Sequence, residues 1–109
     1  MSTKLPEPIA TYIEGANHRD IDVVVACFKD DAVVRDEGRE RRGIAAIRAW
    51  AEEVSEKYRP TARVIDIAET AGKTIVTGRV SGNFPGSPVE LHYAFILDGD
   101  KIARLEISP

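Results

Sequence analysis

Apolar residues recur along this chain at two spacings, and the change from one to the other falls at Pro60. Before it the interval is three to four. Ile9, Tyr12, Ile13 and Ala16 form one such stripe, which predicts a helix running to Asn17, with Pro6 and Pro8 suited to its first turn. Asp20 is a good N-cap for a second, short helix carrying Val23, Val24, Cys27 and Phe28. Ile44, Ile47, Trp50, Ala51 and Val54, extended one turn by Tyr58, predict a third, opened by Gly43 and stopped by Pro60. Between the second and third helices, Val33 to Asp36 is short and β-branched. It reads as a strand entered through the turn pair Asp30-Asp31, followed by a polar loop from Glu37 to Arg42.

Beyond Pro60 the interval becomes two. Arg63–Ala71, Lys73–Phe84, Val89–Leu97 and Lys101–Ile107 are the predicted strands, joined by reversals at Ala71-Gly72-Lys73, Pro85-Gly86-Ser87-Pro88 and Asp98-Gly99-Asp100. Helices first and hairpin-linked strands afterwards predict an α+β fold, an antiparallel sheet whose concave side the helices cover. The Val89–Leu97 strand departs from alternation: Leu91, Tyr93, Phe95 and Leu97 are apolar on one face, and His92, Ala94 and Ile96 are mostly so on the other. A strand apolar on both faces is buried on both. Because the helices cover one, a second copy of the chain is expected on the other, giving a two-fold homodimer through the sheet.

Composition narrows the function classes. At 109 residues the chain is read as a single domain, residues 1–109. Fifteen basic against eighteen acidic residues give a net charge of −3 with no long run of one sign, so no nucleic-acid partner is expected. Cys27 is alone, which removes an intrachain disulfide and any cysteine-based metal site within one chain. Neither a signal core in Met1–Pro8 nor a stretch of about 20 apolar residues is present, so no membrane association and a cytoplasmic location are expected.

The order of elements, the segment D-D-A-V-V-R-D ending at Asp36, and the G-I-A-A-I helix opening at Gly43 together resemble the nuclear-transport-factor-2-like superfamily, in its SnoaL-like and ketosteroid-isomerase-like branch. The resemblance implies a cone-shaped curved sheet wrapped around the N-terminal helices, a cystatin-like α+β barrel. Residue by residue, it matches the isomerases' first-helix tyrosine to Tyr12, their general-base aspartate to Asp36, and a pocket-walling aromatic to Trp50. By register, their protonated second donor falls on His92. This tyrosine, base and neutral-acid arrangement is a known worked case of tuned carboxylates. The chain departs from the isomerases at Glu37, where they carry proline, in a shorter loop to Gly43, at Ala51 where they carry an aromatic, and in its end at Pro109; these departures argue against a steroid-sized substrate.

The chemistry stands on the residues as well. Removing a proton next to a carbonyl needs a base over the carbon and a donor aimed at the oxygen that becomes negative. Asp36 is the candidate base, made more basic by an apolar wall of Phe28, Val34 and Trp50. Tyr12, at the edge of the first helix's stripe, is the candidate donor, with His92 beside it if its imidazole is neutral. Val80, Phe84 and Ala94 complete the expected lining for a small apolar ligand. No cofactor and no metal are expected: His18 falls in a turn, no phosphate-binding glycine motif is present, and the inward positions Val76, Gly78, Val80, Gly82 and Phe84 lack the carboxylates an epoxide hydrolase would need. The alternative is a non-catalytic ligand-binding or dimerisation module of the same fold, which would show the same pocket residues.

Overall fold

The computed structural model describes residues 5–109; Met1–Lys4, part of the stretch expected to lack a signal core, lies outside them. Three helices and six strands follow in the order α1 (Glu7–Asn17), α2 (Ile21–Ala26), β1 (Phe28–Asp36), β2 (Arg39–Arg42), α3 (Ile44–Tyr58), β3 (Thr61–Thr70), β4 (Lys73–Ser81), β5 (Val89–Asp98) and β6 (Lys101–Ser108). The strands form one curved, unclosed sheet in the order β2-β1-β6-β5-β4-β3. Helices pack on its concave side, as an α+β chain with one apolar sheet face requires.

Helix ends follow local chemistry. Asp20 accepts from the Val23 N–H and caps α2. Gly43, at φ 84, donates its N–H to the Ala32 carbonyl at 2.9 Å, which pins the start of α3 to β1. At the end of the first helix, Asn17 grips Ala62 at both backbone groups, donating to its carbonyl at 2.9 Å and accepting from its N–H at 2.8 Å. Arg19 donates to the Pro60 carbonyl from the same corner. The end of α1 is thereby tied to the first residues of β3.

Three expectations are corrected. Phe28 is the first residue of β1, not the end of α2, because it pairs with Ile102 on β6. The segment expected as a polar loop is a hairpin: Glu37 (φ 54) and Gly38 (φ 74) make a two-residue turn with both φ positive, and Asp36 lies opposite Arg39. The sheet is antiparallel except where β1 runs parallel to β6. The core that results is centred on Ile9, Val24, Val34, Ile47, Val76, Phe95, Ile102 and Leu105, all 2% exposed or less. Among the described residues, no helix is long and apolar enough to cross a membrane.

Candidate active site

Between α1, α3 and the concave face of the sheet lies a cavity of about 640 Å³. That is inside the range of roughly 300–1,000 Å³ usual for small-molecule sites. Tyr12 and Ala16 reach it from α1, Trp50, Ala51, Val54 and Tyr58 from α3, Val80 from β4, and Leu91 and Tyr93 from β5. Ala51 is part of the wall, and its methyl group leaves open the space that an aromatic ring at this position would fill.

Asp36 arrives there by alternation. Ala32 and Val34 are 1% and 0% exposed on the inward face of β1, and Asp36 is the next residue in that series, half-buried at the rim of the core. The tight turn at Glu37-Gly38 begins immediately after it. Trp50, two turns into a helix anchored at Ala32, comes back across the same strand and donates its indole N–H to Asp36 Oδ2 at 3.0 Å. Burial pushes the Asp36 carboxyl above the ordinary aspartate value, and the Trp50 hydrogen bond pulls the other way because it favours the charged form. A nearby Glu37 raises it further, and Arg41 lowers it.

Tyr12 is 5% exposed and wedged edge-on against Phe28 and Phe95, with ring centroids 5.7 and 5.8 Å away. Burial, then the proximity of Tyr93 and Asp36, holds its hydroxyl well above the usual phenol value. Tyr93 is pushed up to about 12 by burial and by Asp36. Both phenols are therefore neutral hydrogen-bond donors throughout the physiological range.

The expected site residues divide three ways. Asp36, Tyr12, Trp50, Val80 and Phe84 meet at the cavity. Phe28 and Val34, 3% and 0% exposed, are core residues behind that surface, Phe28 supporting the Tyr12 ring. His92 and Ala94 face away. His92 is exposed on the convex side, its Nδ1 3.1 Å from Thr77 Oγ1, and lies opposite Thr77 and Ser108 in the ladder. Ala94, half-buried on the same side, lies opposite Ile75 and Glu106. The physical reason is the two-residue period of a strand: the register that seats Tyr93 and Phe95 inward turns their neighbours out. In the alternating pattern Tyr93 counts as one more apolar position of β5; the sign of its difference in the sequence is a hydroxyl on an inward face, which needs something polar to meet. Among the described residues, no three His, Cys, Asp or Glu side chains converge to hold a metal.

A curved, unclosed sheet closed over by helices, with a cavity between the two layers, is the architecture of the nuclear-transport-factor-2-like and ketosteroid-isomerase-like folds. Within it, the SnoaL-like domain family matches residues 9–105, and the chain belongs to that family. A candidate polyketide cyclase from Sinorhizobium meliloti is 36% identical, with 95% of each chain covered and a TM-score of 0.91. Two more distant solved structures share the fold. One is a ketosteroid isomerase-like protein from Catenulispora acidiphila in complex with trimethylamine, at 12% identity, covering 97% of this chain and 87% of that one, with a TM-score of 0.84. The other is a cystatin-fold protein from Novosphingobium aromaticivorans, at 19% identity, covering 99% and 100%, with a TM-score of 0.78. No curated protein matches.

Proposed function

We propose that this chain is a SnoaL-type enzyme that moves a proton next to the carbonyl of a compact apolar ketone or enone. Asp36 takes the proton and returns it, and Tyr12 donates to the oxygen on which negative charge develops. The observation that carries this reading is the Trp50–Asp36 hydrogen bond at 3.0 Å: it holds a half-buried carboxylate, raised in basicity by burial, at the edge of an apolar cavity. A merely structural carboxylate at this place would be better placed in an ion pair, and the arginine that lowers its value, Arg41, donates to its backbone carbonyl instead, at 3.4 Å.

The chemistry asks for no cofactor or metal, since both roles are filled by ionisable side chains. A general base contributes about 10²–10⁴ in rate and one oxyanion donor about 10²–10³, so loss of either leaves little turnover. Phe84, Val80 and Trp50 would hold the apolar part of the ligand. The same reading has one domain acting as a homodimer through the convex face of the sheet, where Val33, Ile75, Ala94 and Ile96 are partly or fully buried, and acting in the cytoplasm. The predominantly apolar wall also suits the second reading, a carrier that keeps the cavity without the reaction.

Replacing Asp36 with Asn and following both turnover of a simple β,γ-enone and affinity for a phenol separates the two. Wild-type turnover that the variant loses, with tighter phenolate binding once the repelling charge is gone, is the expected result. No wild-type turnover together with unchanged phenol binding leaves the carrier.

A further inference from the structure

We infer that Tyr93 is the second oxyanion donor of this site, in the role expected of His92, and that Gly78 is the residue that positions its ring. The inference rests on the proton-transfer reading given above and adds to it a group and a support that the reading does not contain. On β5 the ladder aligns Tyr93 with Val76 and Ile107, all on the concave side. The Tyr93 ring lies nearly parallel to Phe95, at 11° and 6.4 Å, while Tyr12 meets Phe95 edge-on at 5.8 Å. One phenylalanine thus separates two phenols that both line the cavity.

No buried side-chain oxygen or nitrogen among the described residues is left without a partner. Neither phenol oxygen hydrogen-bonds to the protein there, so both must open onto the cavity. Each phenol also feels the Asp36 charge. A substrate oxygen held between the two hydroxyls would therefore lie within electrostatic reach of the base.

Gly78 gives the arrangement its support. A Cβ there would lie 3.2 Å from Tyr93 Cε1 and 3.9 Å from Cδ1, so the tyrosine ring rests on bare backbone. The backbone of Gly78 lacks the positive φ that so often explains a glycine, and it sits inside an internal strand, where glycine weakens the sheet. Space for the ring accounts for it. With a side chain at 78, Tyr93 would be displaced by a few tenths of an ångström, enough to misalign a hydrogen bond.

The test uses a series of nitrophenols of graded acidity as enolate mimics, reading by absorbance both affinity and the fraction of bound phenol that is ionised. Variants are Tyr12→Phe, Tyr93→Phe, Gly78→Ala and His92→Ala, each checked for wild-type circular dichroism. Hydrogen bonds to a charged oxygen predict a loss of about 10- to 100-fold in phenolate affinity for Tyr93→Phe, as for Tyr12→Phe, with a smaller ionised fraction. Gly78→Ala is expected to lose severalfold, and His92→Ala nothing. If Tyr93→Phe binds phenolate like the wild type while Tyr12→Phe does not, the second-donor assignment is wrong and the site reading stands. A loss in His92→Ala equal to that in Tyr93→Phe also overturns the assignment. Unchanged affinity in Gly78→Ala overturns the positioning role. A wild type that leaves every bound phenol neutral overturns the proton-transfer reading and this inference with it.

Discussion

Trp50→Phe isolates one hydrogen bond, and its effect can be worked out before measurement. The indole N–H reaches Asp36 Oδ2 at 3.0 Å, and Trp50 is 5% exposed, so the donor is held and little water competes on its side. A hydrogen bond to a charged group contributes about 1.5–3 kcal/mol. Asp36 itself is half-buried, so solvent replaces part of the lost bond and the lower end, about 1.5 kcal/mol, applies. That corresponds to about a tenfold change in the balance between carboxylate and carboxylic acid. The sign is fixed: the bond favours the ionised form, so its loss moves Asp36 titration to higher pH. Carbon-13 NMR of the Asp36 carboxyl reads this directly and needs no substrate. Wild-type Asp36 should titrate above the ordinary aspartate value of about 3.9, and in Trp50→Phe higher still, with turnover on the acid limb lowered about tenfold. Identical titrations in two equally folded proteins would show that the indole does not stabilise the charge, and the observation on which the proposed base rests would lose its meaning.

Three further outcomes follow from the same geometry. Because the folded-state value of Asp36 is raised, the native protein binds more protons than the unfolded chain between the two values, and stability falls as pH rises through that interval; Asp36→Asn should therefore raise Tm at pH 7 and match wild type in acid, while turnover drops about 10²–10⁴, and a variant less stable at pH 7 would contradict the desolvation argument. A Cβ at Gly82 would sit 2.5 Å from the Tyr58 carbonyl oxygen and 3.2 Å from Pro60 Cα, both backbone; Gly82→Ala should cost about 1–3 kcal/mol and about 4–12 °C in Tm by thermal unfolding, and an unchanged Tm would mean that the chain just past β4 is not in tight contact with the end of α3. Ala94 lies on the convex face between Ile75 and Glu106; Ala94→Arg should halve the mass seen by light scattering, and a wild type already monomeric at micromolar concentration removes the dimer.

Strong periodicity made most of the fold legible. The stripes Ile9-Tyr12-Ile13 and Ile47-Trp50-Ala51 are buried as their spacing required, and Pro60 follows the left-handed Arg59 at the end of α3. The β2 strand was invisible because Arg39–Arg42 carries no apolar residue. It is held by things that a local pattern does not show: a two-residue turn, and Glu40, whose carboxylate lies within 3.5–3.6 Å of Arg35 and Arg104 on two other strands. Asp36, Tyr12 and Trp50 were legible as a group through the family resemblance and the edge of each apolar stripe. The hydrogen bond joining two of them was not, since it depends on how α3 crosses β1. His92 and Tyr93 show where alternation fails: with both faces of β5 apolar, the sequence cannot tell inside from outside, and a slip of one residue exchanges them all.

That slip changes the electrostatics of the cavity as well as its membership. An imidazole facing Asp36 could take up a proton, and the resulting ion pair would hold the carboxylate ionised as a weaker base. A phenol cannot do this. Tyr93 at about 12 and Tyr12 well above its usual value stay neutral beside an ionised Asp36, and the carboxylate itself is one cause of both shifts. The three groups thus separate one another: the more firmly Asp36 is ionised, the more firmly the phenols keep their protons. In the proposed reaction, a proton released by a ligand would pass to Asp36, the acid that burial makes more basic. In that reaction the tyrosines would share their hydrogens with the developing oxyanion without surrendering them. The cost falls on the fold, which carries a partly desolvated charge at neutral pH, and it is limited by the indole that turns toward it.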